Sequence, residues 1–314
     1  QCASHVGNDF LPTGKKPSVG RFQRNHSRRS RGPFSDEALL SHTLGVPLGS
    51  LRTPSSIESN SMERDRLFEV LFEDESLLVV HKPADLVCHP TKGDIYSSLI
   101  SRVRLYLPSE ATGAHMINRL DRETSGLVLI AKDKETARLL ARQWESRSVV
   151  KTYRALVLDW PERDTFEIHA SLGKDLGSAV YVKDAVCEDG TPASTHVRVL
   201  KRFEREGKPY SLLEVCPLTG RKHQIRIHLQ SIGHSIVGDK LYGLDERYYL
   251  SLVDGTLTDE DRANLLLPYQ ALHAQSVSID LHGERRTFTA REEAWFEAFH
   301  AAYPDLSHLE DVLT

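Results

Sequence analysis

The densest run of reactive side chains is Asn118-Arg119-Leu120-Asp121-Arg122-Glu123-Thr124-Ser125-Gly126, set between two apolar stretches. A carboxylate between two arginines stays ionised, because one nearby cation lowers an aspartate pKa by ~1–3 units. An ionised carboxylate can serve as a nucleophile. The same spacing also describes a surface salt-bridge loop, which Arg and Asp spacing alone favours. A second run, Thr219-Gly220-Arg221-Lys222-His223-Gln224-Ile225-Arg226-Ile227-His228-Leu229, continues to Ile232 and Gly233. There Ile225, Leu229 and Ile232 share one helical face, and Gly233 suits the position just past a helix end. Arg226 projects from the first turns. The plain alternative is an amphipathic helix with solvated cations. A loop with glycines at 233, 238 and 243 follows, which implies tight backbone turns.

Other chemistries fit less well. Asp121-Arg122-Glu123-Thr124 has a glutamate where the Asp-x-Asp-x-Thr loop of aspartate-nucleophile phosphatases carries its second aspartate, and it does not follow directly from an apolar strand. His223 and His228 are five apart, on poorly matched sides of a helix, so no zinc site is expected. There is no Walker A loop and no Gly-x-Gly-x-x-Gly.

The elements that must position these residues read as strand, turn, strand from Leu67 to Phe72 and from Leu77 to His81, stopped by Pro83. Gly126 to Ala131 is a buried strand. Asp133 N-caps a helix with Ala137, Leu140, Ala141 and Trp144 at helical spacing, and Val149 to Leu158 returns as a strand. Ser194 to Leu200, Ser211 to Val215, Ser276 to Leu281 and Thr287 to Ala290 are further strands, and Glu292 to Ala302 is a closing helix. Short connections favour antiparallel pairing. The expected fold is α+β: a long, mixed, mainly antiparallel sheet flanked by helices, spanning residues 63–314.

Residues 1–62 are rich in Ser, Asn, Gly and Arg and read as a basic, mostly disordered arm with one short helix at Asp36 to Leu44. Residues 1–35 hold seven Lys and Arg against Asp9 alone, a local +6 in a chain of net −4, so the remaining residues carry −10. Basic charge is thus segregated, which lends support to an RNA partner despite the acidic total. Cations recluster at Arg119, Arg122, Lys132, Lys134, Arg138, Arg142, Arg147, Lys151 and Arg154, and again at Arg221, Lys222 and Arg226, although such a run more often marks a solvated face. The start without Met reads as a processed chain or a fragment, and an Arg- and Ser-rich start leaves an organellar transit peptide as the alternative to a cytoplasmic protein. Apolar runs such as Leu77 to Val80 fall far short of the ~20 residues a membrane helix needs. Four scattered cysteines without a Cys-x-x-Cys pair read as reduced thiols.

Taken together, the two polar runs are similar to the signature motifs of the RluA-type pseudouridine synthase family. The first resembles its Arg-Leu-Asp-Arg-x-Thr-Ser-Gly loop, and the second its Gly-Arg-x-His-Gln-Ile-Arg-x-His-Leu motif with the following Gly-His-x-Ile-Val-Gly-Asp. Further matches occur in order at His81-Lys82-Pro83-Ala84 with His89-Pro90, at Lys151-Thr152-Tyr153-Arg154-Ala155-Leu156-Val157 and at Gly190-Thr191-Pro192-Ala193-Ser194-Thr195. The resemblance covers roughly Phe68 to Phe288.

It implies isomerisation of uridine to pseudouridine in ribosomal or transfer RNA, by a monomer that needs no cofactor or metal. Asp121 would be the nucleophile, Arg226 its ion-pair partner and Tyr153 the aromatic ring stacked on the uracil. Arg119 would help fill the gap left by the flipped nucleotide, and Leu229 would wall the base pocket. Arg122, Thr124, Arg221, His223 and Gln224 are the remaining substrate-binding candidates. The chain departs from the family pattern at Asn118 (His), Lys222 (Thr), Ser235 (Pro), His81 (Asn) and Asp85 (Gly), none of them a reacting group. The small N-terminal RNA-binding domain of many relatives is not recognisable in residues 1–62.

Overall fold

The computed structural model describes residues 68–90, 98–108 and 113–308, all within the unit Thr53–Thr314. The basic arm, its helix at Asp36 to Leu44 and the boundary at residue 63 lie outside the described residues. In chain order, β1 (Glu69–Glu73) and β2 (Leu77–Lys82) form a hairpin, followed by α1 (Leu99–Tyr106), β3 (His115–Met116) and β4 (Ser125–Ala131). Next come α2 (Lys134–Glu145), β5 (Val150–Leu158), β6 (Thr165–His169), β7 (Leu172–Lys174) and β8 (Asp184–Val186). The hairpin of β9 (Ser194–Arg205) and β10 (Lys208–Pro217) leads to α3 (Gln224–Ser231), α4 (Arg247–Asp254) and α5 (Asp259–Leu265). The last elements are β11 (Leu272–Leu281), β12 (Glu284–Thr289) and α6 (Ala294–His300).

Ten strands make one sheet in the order β1-β2-β4-β11-β5-β10-β9-β6, with β12 on β11 and β3 on β4; β7 and β8 pair separately. Every pair is antiparallel except β4 with β11, where His273 and Ala274 face Ser125 and Gly126. The sheet is therefore mixed and mainly antiparallel, as the short connections imply. Most expected strands appear longer, but β1 begins at Glu69, β5 at Val150 and β12 ends at Thr289, each inside one expected limit, and the closing helix is shorter than Glu292 to Ala302.

All seven residues of β4 are buried. An unbroken apolar strand needs cover on both faces, and its alternation supplies two cores. Val128 and Ile130 pack with Leu99 and Val103 of α1, while Leu127 and Leu129 pack with Leu140 of α2. Asp133 caps α2 by accepting from the Thr136 amide at 2.8 Å. The inward residues of α2 are Thr136, Leu140 and Gln143, whereas Ala141, expected on the core face, is exposed. The reason is long-range: the Gln143 amide pairs with the Asp280 backbone in both directions, at 2.6 and 2.8 Å, so a polar side chain takes the buried place. A third core joins β5, β9 and β10 to Ile225 and Leu229 of α3 and to Phe296 and Phe299 of α6. Ile232, expected on the same face of α3, is 41% exposed because the helix has ended there.

Gly126 sits at the parallel junction with φ 109°, and a Cβ there would collide with the Ala274 carbonyl oxygen. Only glycine lets β11 approach the start of β4 so closely. That start is also the end of the Asp121 loop.

Candidate active site

The loop from Asn118 to Thr124 is fixed from several sides. Lys82 donates its three ammonium protons to the carbonyls of Pro83, Leu86 and Arg122 at 2.8, 2.8 and 3.0 Å. Burial pulls this ammonium down to about 8, and the three carbonyls satisfy it. Leu120 meets Cys88 Sγ through both its amide and its carbonyl at 3.4 Å. Gln270 donates to Thr124 Oγ1 at 2.6 Å, and Lys240 donates to both Glu123 oxygens at 2.9 and 3.0 Å. Asn118 bridges to β4, donating to the Leu127 carbonyl and accepting from the Leu129 amide.

The Asp121 carboxylate takes its partners from α3. Arg226 Nη1 donates to Oδ2 at 2.8 Å, while Arg226 Nε and Nη2 donate to the two oxygens of Asp239 at 2.6 and 2.9 Å. Asp239 Oδ1 also accepts the amides of Leu241 and Tyr242, and the Tyr242 ring lies 4.8 Å from the guanidinium. Arg226 is thus fully engaged on its far side and offers one N–H to Asp121. Burial works to raise the Asp121 carboxyl, but the Arg226 charge, the His223 ring and the Arg226 hydrogen bond outweigh it and hold the group below the usual carboxylate range. The cation that keeps Asp121 ionised is therefore Arg226, which corrects the expectation from its sequence neighbours: Arg119 is exposed, and Arg122 turns away to Asp85 at 2.6 Å. Asp85 makes that contact from a left-handed conformation, φ 68°.

His223 precedes α3 in the left-handed region, φ 55°, with Nε2 3.8 Å from Asp121 Oδ1. Burial pushes this ring down to about 4, so at neutral pH the contact is not an ion pair. Tyr242 Oη accepts the Asp184 amide at 3.1 Å and lies 2.9 Å from His223 Nδ1. The arrangement assigns the tyrosine proton to Nδ1 and leaves Nε2–H facing Asp121.

Around this centre lies a cavity of about 100 Å³ whose walls include Tyr153, Asp121, Thr124, Arg119, Ile225 and Leu272. Tyr153 comes from β5, and burial, then the Asp121 charge, push its phenol above the ordinary range. Arg221 and His223 also line the cavity. Two expected substrate contacts are engaged in the fold instead. Leu229 is fully buried in the core one turn further along α3, so Ile225 and Leu272 form the wall assigned to it. Gln224 touches the cavity, but its amide is occupied by Thr219, Ser194, Thr195 and the Arg221 backbone. It holds the 219–221 loop in place. The residue that sequence reasoning missed is Asp239. Its signal was Val237-Gly238-Asp239, an acid after a glycine at φ 77° where a Cβ would strike the Tyr269 carbonyl.

Residues 76–231 match the family described as RNA pseudouridylate synthase. The chain is 38% identical over 215 residues to a protein of Nitrosomonas europaea named ribosomal large subunit pseudouridine synthase D, a match covering 67% of this chain and 57% of that protein. A protein of the same name from Zymomonas mobilis is 33% identical over 266 residues, covering 82% and 77%. The solved structure of human RNA pseudouridylate synthase domain containing 1 superposes with a TM-score of 0.60 at 25% identity, covering 83% of this chain and 96% of that one. This chain thus spans a little over half the length of the first relative.

Proposed function

The chain belongs to the RNA pseudouridylate synthase family, and on that premise we propose that it isomerises uridine to pseudouridine in RNA with Asp121 as the nucleophile. The observation that carries this reading is the ion pair of Asp121 with Arg226 at 2.8 Å, backed by Asp239 and facing the cavity that Tyr153 lines. A module that only bound RNA would need the cations, not a partly buried carboxylate held ionised.

The uracil N1–C1′ bond breaks, the base turns in the cavity, and C5 joins C1′. The target must leave its stack, at a cost of a few kcal/mol that is least for an unpaired base; stacking on Tyr153 offsets ~1–3 kcal/mol. Asp121 either bonds to C1′ or assists elimination to a glycal, and Arg226 orients it. In the first route, closing the C5–C1′ bond expels Asp121 as a carboxylate; the C5 proton is then lost and N1 gains one, with the Tyr153 hydroxyl as the candidate to take the first as it gives up its own. The fuller form of the proposal is a monomeric cytoplasmic enzyme acting on ribosomal or transfer RNA. The names of the relatives point first to large-subunit ribosomal RNA, with residues 1–62 as a further RNA contact.

The test is to incubate the purified chain with transcripts of large-subunit ribosomal RNA and transfer RNAs, digest them and separate the nucleosides. New pseudouridine is the expected result. Its absence from every transcript would leave the silent RNA-binding relative as the better reading.

A further inference from the structure

Beside the catalytic cavity runs a larger groove of about 570 Å³, walled by Trp144, Arg147, Lys151, Leu218 and Arg221. It shares Pro217, Thr219, Gly220 and Arg221 with the cavity, so the two lie side by side. We infer that this groove is the subsite for a single-stranded nucleotide flanking the target uridine, with its base stacked on Trp144 and its phosphates held by Arg147, Lys151 and Arg221. This rests on the RNA-modifying reading above and names where the strand runs.

Charge is the first support. Three other cations around the site are paired, Arg122 with Asp85, Lys222 with Asp184 and Lys240 with Glu123, whereas Arg119 in the cavity wall is in no ion pair among the described residues. Among the described residues, Arg147, Lys151 and Arg221 are in no ion pair; Lys151 and Arg221 reach only backbone carbonyls, at 3.4 and 3.3 Å. The one acid in the groove wall is the exposed Glu145. Burial, and then the Arg147 charge, push the Lys151 ammonium below its ordinary value, as befits two cations placed together with no counter-ion. A phosphodiester supplies that counter-ion.

The backbone of Arg147 is the second support. The Arg147 amide bonds the Trp144 carbonyl at 3.2 Å and the Ser148 amide bonds the Gln143 carbonyl at 3.0 Å, the helix-ending motif whose left-handed residue is usually glycine. Here an arginine holds φ 59°. A strained residue at a groove points to a use for its side chain. The third support is apolar. Val150 and Leu218 stand 53% and 48% exposed in the groove, and the Trp144 indole beside them makes a platform of the kind on which an unpaired base stacks.

The probe is a fluorescein-labelled decauridylate, titrated by anisotropy across a range of salt concentrations. Each single-strand phosphate contact contributes ~0.7 to the salt slope, so Arg147→Gly with Lys151→Gln should lower it by about 1.4. Arg147→Gly alone should raise the thermal midpoint, since glycine relieves the left-handed strain, while weakening binding; misfolding would lower both. Tryptophan emission should be quenched on binding in the parent and not in Trp144→Phe. Arg262→Gln on α5 should change none of these. An unchanged slope in the double variant, or quenching that persists without Trp144, overturns the groove assignment. If the parent makes no pseudouridine in any RNA, the enzymatic reading fails while these binding results still decide the groove.

Discussion

Asp239 grips Arg226 through both carboxylate oxygens, at 2.6 and 2.9 Å, on the opposite side of the guanidinium from Asp121. Asp239→Asn should therefore loosen the Arg226 that Asp121 depends on. Breaking one side of a buried ion pair costs about 3–5 kcal/mol. A lower urea midpoint together with a kcat loss larger than the change in KM is expected. A lost KM with kcat intact would make Asp239 a substrate contact.

Asp121→Asn keeps the shape of the side chain and removes the nucleophilic charge. Turnover should fall below ~1% of the parent while RNA affinity stays within about threefold. Single-turnover rates and anisotropy titrations on one RNA check both halves.

The pH dependence of stability should be set by His223 and His273, both pushed by burial to about 4. In the unfolded chain a histidine titrates near ~6.5, so between these values the unfolded state binds more protons and stability falls as pH falls. Urea midpoints should therefore decline from pH 7 to pH 5. Asp121 and Asp239 are depressed, so their contribution is present above the ordinary carboxylate pKa and lost only at lower pH. A flat midpoint over pH 5–7 would contradict the assignment of neutral histidines.

Gly126→Ala places a methyl group on the Ala274 carbonyl at a left-handed-side φ of 109°. Strain of this kind costs of order 1–3 kcal/mol before the clash is counted. Equilibrium urea denaturation should show at least that loss, and activity should fall as the Asp121 loop shifts.

RNA with 5-fluorouridine at the target should be cleaved, turned and rejoined, then halted, because fluorine cannot leave C5 as a proton does. Digestion should yield a rearranged fluorinated nucleoside. Only unrearranged 5-fluorouridine, with the unfluorinated control fully modified, would overturn the order of steps.

Much of the framework was legible because its signals are local. Asp133 caps α2 as its position before the apolar spacing implied, and β4 is the buried strand that an unbroken apolar run predicts. What escaped depends on distant partners. Gln143 is buried because Asp280 lies across from it, and Ala141 is exposed for the same reason. Spacing alone offers the neighbouring arginines as partners of Asp121, whereas the motif resemblance points to Arg226, which lies 105 positions away. Helices α1, α4 and α5 span only seven or eight residues, and α4 buries none of its side chains, so periodicity gave no purchase on them.

The position of β11 has a consequence for how the protein is made. That strand lies between β4 and β5, yet it is synthesised more than a hundred residues after either. During translation the gap in the middle of the sheet stays open, with two unpaired strand edges facing one another, until residues 272–281 emerge. Such non-local closure is slow and exposes edges that invite pairing with other chains. A chain terminated before β11 would hold Asp121, Tyr153 and Arg226 and still lack the strand that brings their elements together, so the cell's burden from truncated copies would be aggregation rather than stray catalysis.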